Sequence, residues 1–392
     1  MDTDATRALP YSFAKLDDLM EKAGIDVLLV TSKHNTQYLL GGYRFIFFPA
    51  MDAIGHSRYL PVIVYVKGAP DRTAYVANKM EGGEHANHPF WTPHFLPMSW
   101  GSVDSMTEAV RHLKDHGPAS PRIGIEPSFL PMNSARVLEA AYPNAPLVDA
   151  TGVMERLRAI KTPAGRVLLR QATDAITGAM QATTTGAGIG DSKFQIIDRL
   201  RREETARGLH FEYCLLTLGA SHNRAASSQT WAKGDVLSID SGGNLRGYIG
   251  DICRMGVLGE PDAELIDLLA EVAAVQQAAF AKVRAGVPGG DLIAAGEAEL
   301  ARHPNRACTD FFANGMGVIT HEAPFLMTNH PVAYDGVDAA HPLEAGMILS
   351  IETTMLHPRR GFIKLEDTLA VTETGYERYG SEGRGWTRGG TV

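Results

Sequence analysis

The sequence is poor in cysteine, in long apolar runs and in clustered basic residues. Cys214, Cys253 and Cys308 are its only three cysteines in 392 residues. They form no CxxC pair, and an odd, scattered set is no disulfide framework. A reducing compartment fits that usage best. No apolar run approaches the roughly 18 residues that a spanning helix needs, so no membrane partner is expected. The stretch MDTDATRALPYSF has no apolar core and does not read as a secretory signal. A cytoplasmic setting is expected. The net charge is -8 and no Lys/Arg stripe is present, which argues against a nucleic-acid partner. Hydrophobic residues make up 44% and charged ones 21%, enough for a sizeable core in two or three domains.

Residues 10–150 alternate strand-like and helix-like segments. Phe13, Leu16, Leu19 and Met20 share one helical face. IDVLLVTS follows as a strand, then HNTQYLLGGY as a turn. LPVIVYV, RTAYVA and RIGIEP read as strands, SMTEAVRHLKDHG and SARVLEAAYP as helices. This alternation predicts an α/β domain with a central sheet. A long helix is predicted to open at Thr162-Pro163 and close at Gly186, since Pro in the first turn and Gly past the end punctuate helices. The domain boundary is placed just before it, giving domains 1–155 and 156–392. The GAGIG run at 186–190 follows a helix rather than a strand, so it reads as a helix stop and not as a dinucleotide fingerprint. Another helix is predicted over about 264–284, with Leu265, Leu268, Leu269, Val272, Val275 and Val283 as core.

The last third carries acids where apolar residues belong. Asp240 ends VLSID, Glu352 sits in ILSIE and Glu366 in FIKLE, with Asp251 in YIGDICR. A buried ionised carboxylate costs several kcal/mol unless it is paired or bound to a metal. Clustered carboxylate oxygens suit hard divalent cations. Periodicity alone leaves two readings open, a metal cluster or a charge network.

The order of motifs adds a resemblance. ASHN, IDSGG, YIGDICR, NGMGVITHEAP, GMILSIE and KLEDT follow the motif order of the creatinase, prolidase, aminopeptidase P and methionine aminopeptidase (M24) family. Eighteen residues separate His222 from Asp240, eleven Asp240 from Asp251, and fourteen Glu352 from Glu366. GIDVLLVTSKHNTQYLLGGY is similar to the opening of the family's N-terminal domain, and RAIKTPAGRVLLRQA to its inter-domain helix. The resemblance spans nearly the whole chain. It implies an α/β (α+β) protein, with a creatinase-like N-terminal domain followed by a pita-bread domain, and a homodimer.

It also implies metal ligands at Asp240, Asp251, Glu352 and Glu366, with residue 314 as the fifth. The family's fifth ligand is a His; here it is Asn314, whose amide oxygen is a weaker ligand than imidazole. One well-held divalent ion (Mn, Zn, Fe or Co) and a weak or absent second one are therefore expected. His222 matches the family's proton-transfer His and His321 the one that contacts the substrate carbonyl, roles suited to an imidazole near pH 7. Glu352 would accept a proton from the attacking water. Lys364 stands where relatives usually carry Arg and is read as a charge partner for the acids, because Lys lacks the bidentate grip. His330 and His357 match no motif. RFIFFPAMDAIGHSRYLP, with Phe45, Phe47, Phe48 and His56, reads either as a lid over a partner's site or as a core hairpin.

The implied activity is metal-assisted hydrolysis of a C–N amide-type bond, with an Xaa-Pro dipeptide or another small molecule as substrate. The Asn314 and Lys364 departures keep other readings open. These are a creatinase- or ectoine-hydrolase-like enzyme of a small polar metabolite, possible without metal; a dimethylsulfoniopropionate-type lyase; or a non-catalytic binding protein.

Overall fold

The computed structural model describes residues 9–327 and 336–390, so His330 lies outside the described residues. The chain divides into two compact units, Met1–Arg158 and Ala159–Val392.

The first unit runs α1 (Phe13–Lys22), β1 (Val27–Val30), α2 (Lys33–Leu39), β2 (Ala53–Ile54), β3 (Ser57–Arg58), β4 (Val62–Val66), β5 (Ala74–Asn78), α3 (Gly82–Asn87), β6 (His94–Ser99), α4 (Ser102–His116), β7 (Ile123–Ile125), α5 (Met132–Ala141), β8 (Leu147–Asp149) and α6 (Thr151–Ala159). Six strands form a mixed sheet in the order β6-β5-β4-β1-β7-β8. Its core gathers Val27, Leu29, Val62, Val64 and Val76 from strands with Met106, Ala109 and Leu113 from α4.

Two elements of this unit depart from the sequence reading. HNTQYL is a helix rather than a turn. Ser32 caps it by accepting the Asn35 N–H. Glu126, more than ninety residues away, accepts from Thr31 N, Ser32 N, Ser32 Oγ and Asn35 Nδ2. A buried carboxylate with four donors fixes the first turn, and local propensity does not show it. The strand β6 escaped the reading because Pro93 and Pro97 break its pattern; prolines are tolerated on edge strands, and β6 is one. Phe45 and Phe47 pack with Tyr59 in a small buried cluster beside the β2–β3 hairpin, while His56 is exposed at its turn.

The second unit opens with α7 (Pro163–Gly186), whose N-cap Thr162 accepts from Gly165 N. It continues through α8 (Lys193–Ala206), β9 (His210–Leu218), β10 (Val236–Leu245), β11 (Tyr248–Val257), α9 (Ala263–Phe280), α10 (Gly289–Leu300), β12 (Thr309–Gly315), β13 (Ile348–His357), β14 (Gly361–Val371), β15 (Tyr376–Tyr379) and β16 (Thr387–Arg388). The sheet order is β12-β13-β14-β11-β10-β9, with β15 on β14 and β16 on β11. The helix predicted to reach Arg284 stops at Phe280.

Helices α7 and α8 bury Ile176, Met180, Ile196 and Leu200 against Leu216, Leu237, Ile239 and Ile252 of the sheet. Close approach of α7 depends on Gly250. A Cβ there would stand 2.5 Å from the Ala172 carbonyl carbon and 2.6 Å from Thr173 N. Backbone cannot yield as a side chain does, so Gly250→Ala is expected to lower stability by about 1–3 kcal/mol, the usual cost of overpacking. Urea unfolding of the variant beside the parent measures it; equal midpoints would show that α7 does not press on β11.

Candidate metal centre

Strand parity assembles the acids. Across the sheet, Asp240 lies opposite Cys253, Cys253 opposite Glu366, and Glu366 opposite Glu352. Directly opposed residues share a face, and so do residues two apart on one strand. Asp251 therefore joins Cys253, and Lys364 joins Glu366. Asn314 lies opposite Ser350, two residues before Glu352. Carboxylate oxygens of Asp240, Asp251 and Glu366 lie within 4.8 Å of one another, and each of the three residues is at most 4% exposed.

Lys364 reaches into this group. Its Nζ is 2.7 Å from Asp240 Oδ2 and 2.9 Å from Glu366 Oε2, and it also pairs with Glu352 Oε2. Burial works against its ammonium, yet Asp240, Glu352 and Glu366 outweigh burial and hold its pKa above the ordinary lysine range. The reading of Lys364 as a charge partner matches these contacts. Ser350 Oγ donates to Glu366 Oε1 at 2.7 Å.

Two further residues reach the centre that the sequence reading missed. Arg224 pairs with Asp240 Oδ2 and lies over the Phe362 ring. Tyr213 hydrogen-bonds Asp251; Gly242 makes room for its ring, since a Cβ there would stand 2.5 Å from Tyr213 Cε1. Arg224 comes two residues after His222 in a polar loop, and no local signal singles it out.

Asp251 differs from the other acids. Its Oδ1 is buried without a hydrogen-bond partner. Burial first, then Glu366 and Asp240, push its pKa well above the usual carboxylate range. An orphaned buried acceptor is costly unless something positive completes it. Four carboxylates against the two cations Lys364 and Arg224 leave two negative charges, which one divalent ion balances. The donor set thus fits one ion at Asp240, Asp251 and Glu366, and its charge does not call for two.

The remaining predicted residues sit as follows. Asn314 is buried, and its Nδ2 donates to Gly315 O at 2.7 Å and Thr320 O at 3.1 Å. His321 follows in the loop after β12, half-buried, beside the bridge between Gly315 and Glu322. His222 is exposed in the loop after β9, and its Nε2 donates to His357 O at 3.3 Å. His357, which ends β13, serves there only through its backbone.

Behind Asp240, on the opposite face, Ser241 Oγ contacts Glu204 Oε1 at 3.1 Å and also meets Tyr213 O. A hydroxyl has one proton to give. The Ser241 proton is therefore divided between the Glu204 carboxylate and the Tyr213 carbonyl, and compensates Glu204 only in part. Burial pushes the Glu204 pKa up to about 8, against the Ser241 hydrogen bond, which favours the carboxylate. The sign follows from linkage: a carboxyl whose pKa is raised on folding stabilises below its unfolded value, and that stability is lost as pH rises through the folded value. Wild-type stability is expected to fall between about pH 4.5 and 8 on this account, by an order of a few kcal/mol. Glu204→Gln should flatten that part of the profile, and denaturant midpoints from pH 5 to 9 test it. An unchanged slope would mean that Glu204 ionises freely.

Comparisons with known proteins bear on this geometry. The model of metallopeptidase family M24 matches residues 167–373, and that of the creatinase/prolidase N-terminal domain matches 13–160. The chain is 24% identical over 371 residues to the uncharacterized peptidase YqhT of Bacillus subtilis, covering 92% of this chain and 95% of that one. It is 22% identical to an Xaa-Pro dipeptidase of Pyrococcus horikoshii, over 93% of this chain and 95% of that one. A solved Xaa-Pro dipeptidase from Bacillus anthracis has the same fold, with a TM-score of 0.78, 21% identity, and coverage of 96% and 98%. Among the described residues, no helix is long and apolar enough to cross a membrane.

A creatinase-type N-terminal domain followed by a pita-bread sheet carrying clustered carboxylates defines a hydrolase of the pita-bread class. With more than half its length matched by that family's model, the chain belongs to metallopeptidase family M24.

Proposed function

We propose that this protein hydrolyses a C–N amide-type bond with one divalent ion, and that its substrate is an Xaa-Pro dipeptide. The observation that carries the one-ion reading is the Lys364 ammonium among Asp240, Glu352 and Glu366, with Asp251 Oδ1 left unpartnered. The substrate reading is supported by relatives named as Xaa-Pro dipeptidases.

Asp240, Asp251 and Glu366 would hold the ion, which supplies Lewis acidity and brings the pKa of water toward neutrality. Glu352, oriented by Lys364, takes the proton from the attacking water. His321 donates to the oxygen that gains charge as the carbonyl becomes tetrahedral. His222 delivers a proton to the departing nitrogen. Asn314 contributes at most a weak amide oxygen, because its nitrogen is engaged with Gly315 and Thr320. The protein acts as a cytoplasmic homodimer in this reading.

A metal-free hydrolase of a small polar metabolite is the second reading, favoured by the cations already among the acids. Assays on Xaa-Pro dipeptides and on small amides, after chelation and after reloading with Mn, Zn, Fe or Co, separate the two. Dipeptide turnover that vanishes on chelation and returns with metal is the expected result. Full activity in chelator would overturn the one-ion reading. In heavy-oxygen water the label should enter the product; its absence would point to elimination. Asn314→His is expected to raise the metal count by one ion per chain, as read by elemental analysis. An unchanged count would mean that residue 314 does not face the acids.

A further inference from the structure

We propose that His94, His112 and His116 form a metal site in the first unit, separate from the carboxylate centre, for a borderline divalent ion of the zinc type. His112 and His116 are four residues apart on α4 and so share one helix face. His94 opens the edge strand β6. The three ring centroids lie 4.4 to 4.8 Å apart, and one ring nitrogen from each lies within 4.8 Å of the others. Zinc–nitrogen bonds of about 2.0–2.1 Å at tetrahedral angles need nitrogens about 3.3 Å apart. His94 and His116 are only half-buried, so modest side-chain rotation closes the difference.

The hydrogen bonding around His112 is that of a ligand. Its Nε2 is 2.8 Å from Arg72 O. A carbonyl only accepts, so Nε2 carries the proton and the Nδ1 lone pair is left for a metal. Metal-bound histidines commonly have their other ring N–H fixed in this way by a backbone carbonyl. Burial, then the neighbouring His116 and His94, lower the His112 pKa against the Arg72 hydrogen bond, which favours the neutral ring that metals bind. His116 is the last residue of a 15-residue helix, where the backbone dipole favours positive charge. Arg72 Nη1 donates to His116 O at 3.2 Å, tying down that end.

Three imidazoles and a water-accessible fourth position suit zinc, nickel, cobalt or copper rather than magnesium or calcium. A bound ion would fasten the edge strand β6 to the end of α4. Edge strands are where sheets recruit foreign strands, so the clasp also guards this one.

Copper(II) is the probe that separates this site from the carboxylates, because Asp240, Asp251 and Glu366 offer no nitrogen. The metal-stripped full chain is given one equivalent of copper(II) and its paramagnetic resonance spectrum recorded. Splitting from two or more nitrogens is expected in the parent and in Asp251→Ala, with loss of that splitting in His94→Gln and His116→Gln. Zinc titrated by calorimetry should bind each histidine variant at least roughly tenfold more weakly at this site. A parent spectrum with one nitrogen or none overturns the proposal without any variant. Splitting that survives both His94→Gln and His116→Gln overturns it too.

Discussion

Asp251→Ala is expected to abolish metal uptake at the carboxylate centre and to cut turnover by about a thousandfold or more. The size follows from what a catalytic ion supplies. Lewis-acid stabilisation is worth several kcal/mol, and each 1.36 kcal/mol is about a tenfold change in rate. On the proposed one-ion reading, Asp251 is the acid most dependent on the ion, because its Oδ1 is buried without a hydrogen-bond partner. The same substitution should not weaken the metal-free protein. It removes a buried carboxyl whose ionisation is opposed by burial and by Glu366 and Asp240. The melting temperature in chelator is therefore expected to hold or rise, while the gain on adding Mn disappears, since only binding to the folded form stabilises it. Metal content and activity equal to the parent's would sink the one-ion reading.

Lys364→Met has the opposite signature. It leaves Asp240, Glu352 and Glu366 facing one another without the ammonium that now touches all three. Breaking a buried ion pair on one side commonly costs about 3–5 kcal/mol, and a loss of that order is expected in chelator. Added Mn should recover most of it, because the uncompensated charge then draws cations. Combined with Asn314→His, the variant is expected to take up two ions at the acids. Unfolding in chelator at the parent's temperature would show that Lys364 does not neutralise the cluster.

How much of this was legible in the sequence depends on distance along the chain. Charges inside apolar runs betray themselves locally, so Asp240, Glu352 and Glu366 stood out as strand residues. Their convergence did not, because β14 lies between β13 and β11, and no local pattern encodes that neighbour. The long helix α7 was readable to both ends because Thr162-Pro163 and Gly186 punctuate it. Helix α2 was not, since its first turn hangs on Glu126. Arg224 and Tyr213 belong to the same category. Each reaches an acid through pairing or loop geometry set elsewhere, and an arginine in a polar loop looks like any other. Lys364 was correctly read as a charge partner, but the number of acids it serves needed the fold.

The amide of Asn314 has one more consequence. Its nitrogen fastens the loop that carries His321 through Gly315 O and Thr320 O. An imidazole turned toward the acids would let go of both. Asn314→His is therefore expected to loosen the loop that carries His321, so that any second ion would come with a less ordered His321. A histidine at 314 would thus trade one kind of order for another: a better ligand beside the acids, and a loop that has lost the two hydrogen bonds that now hold it.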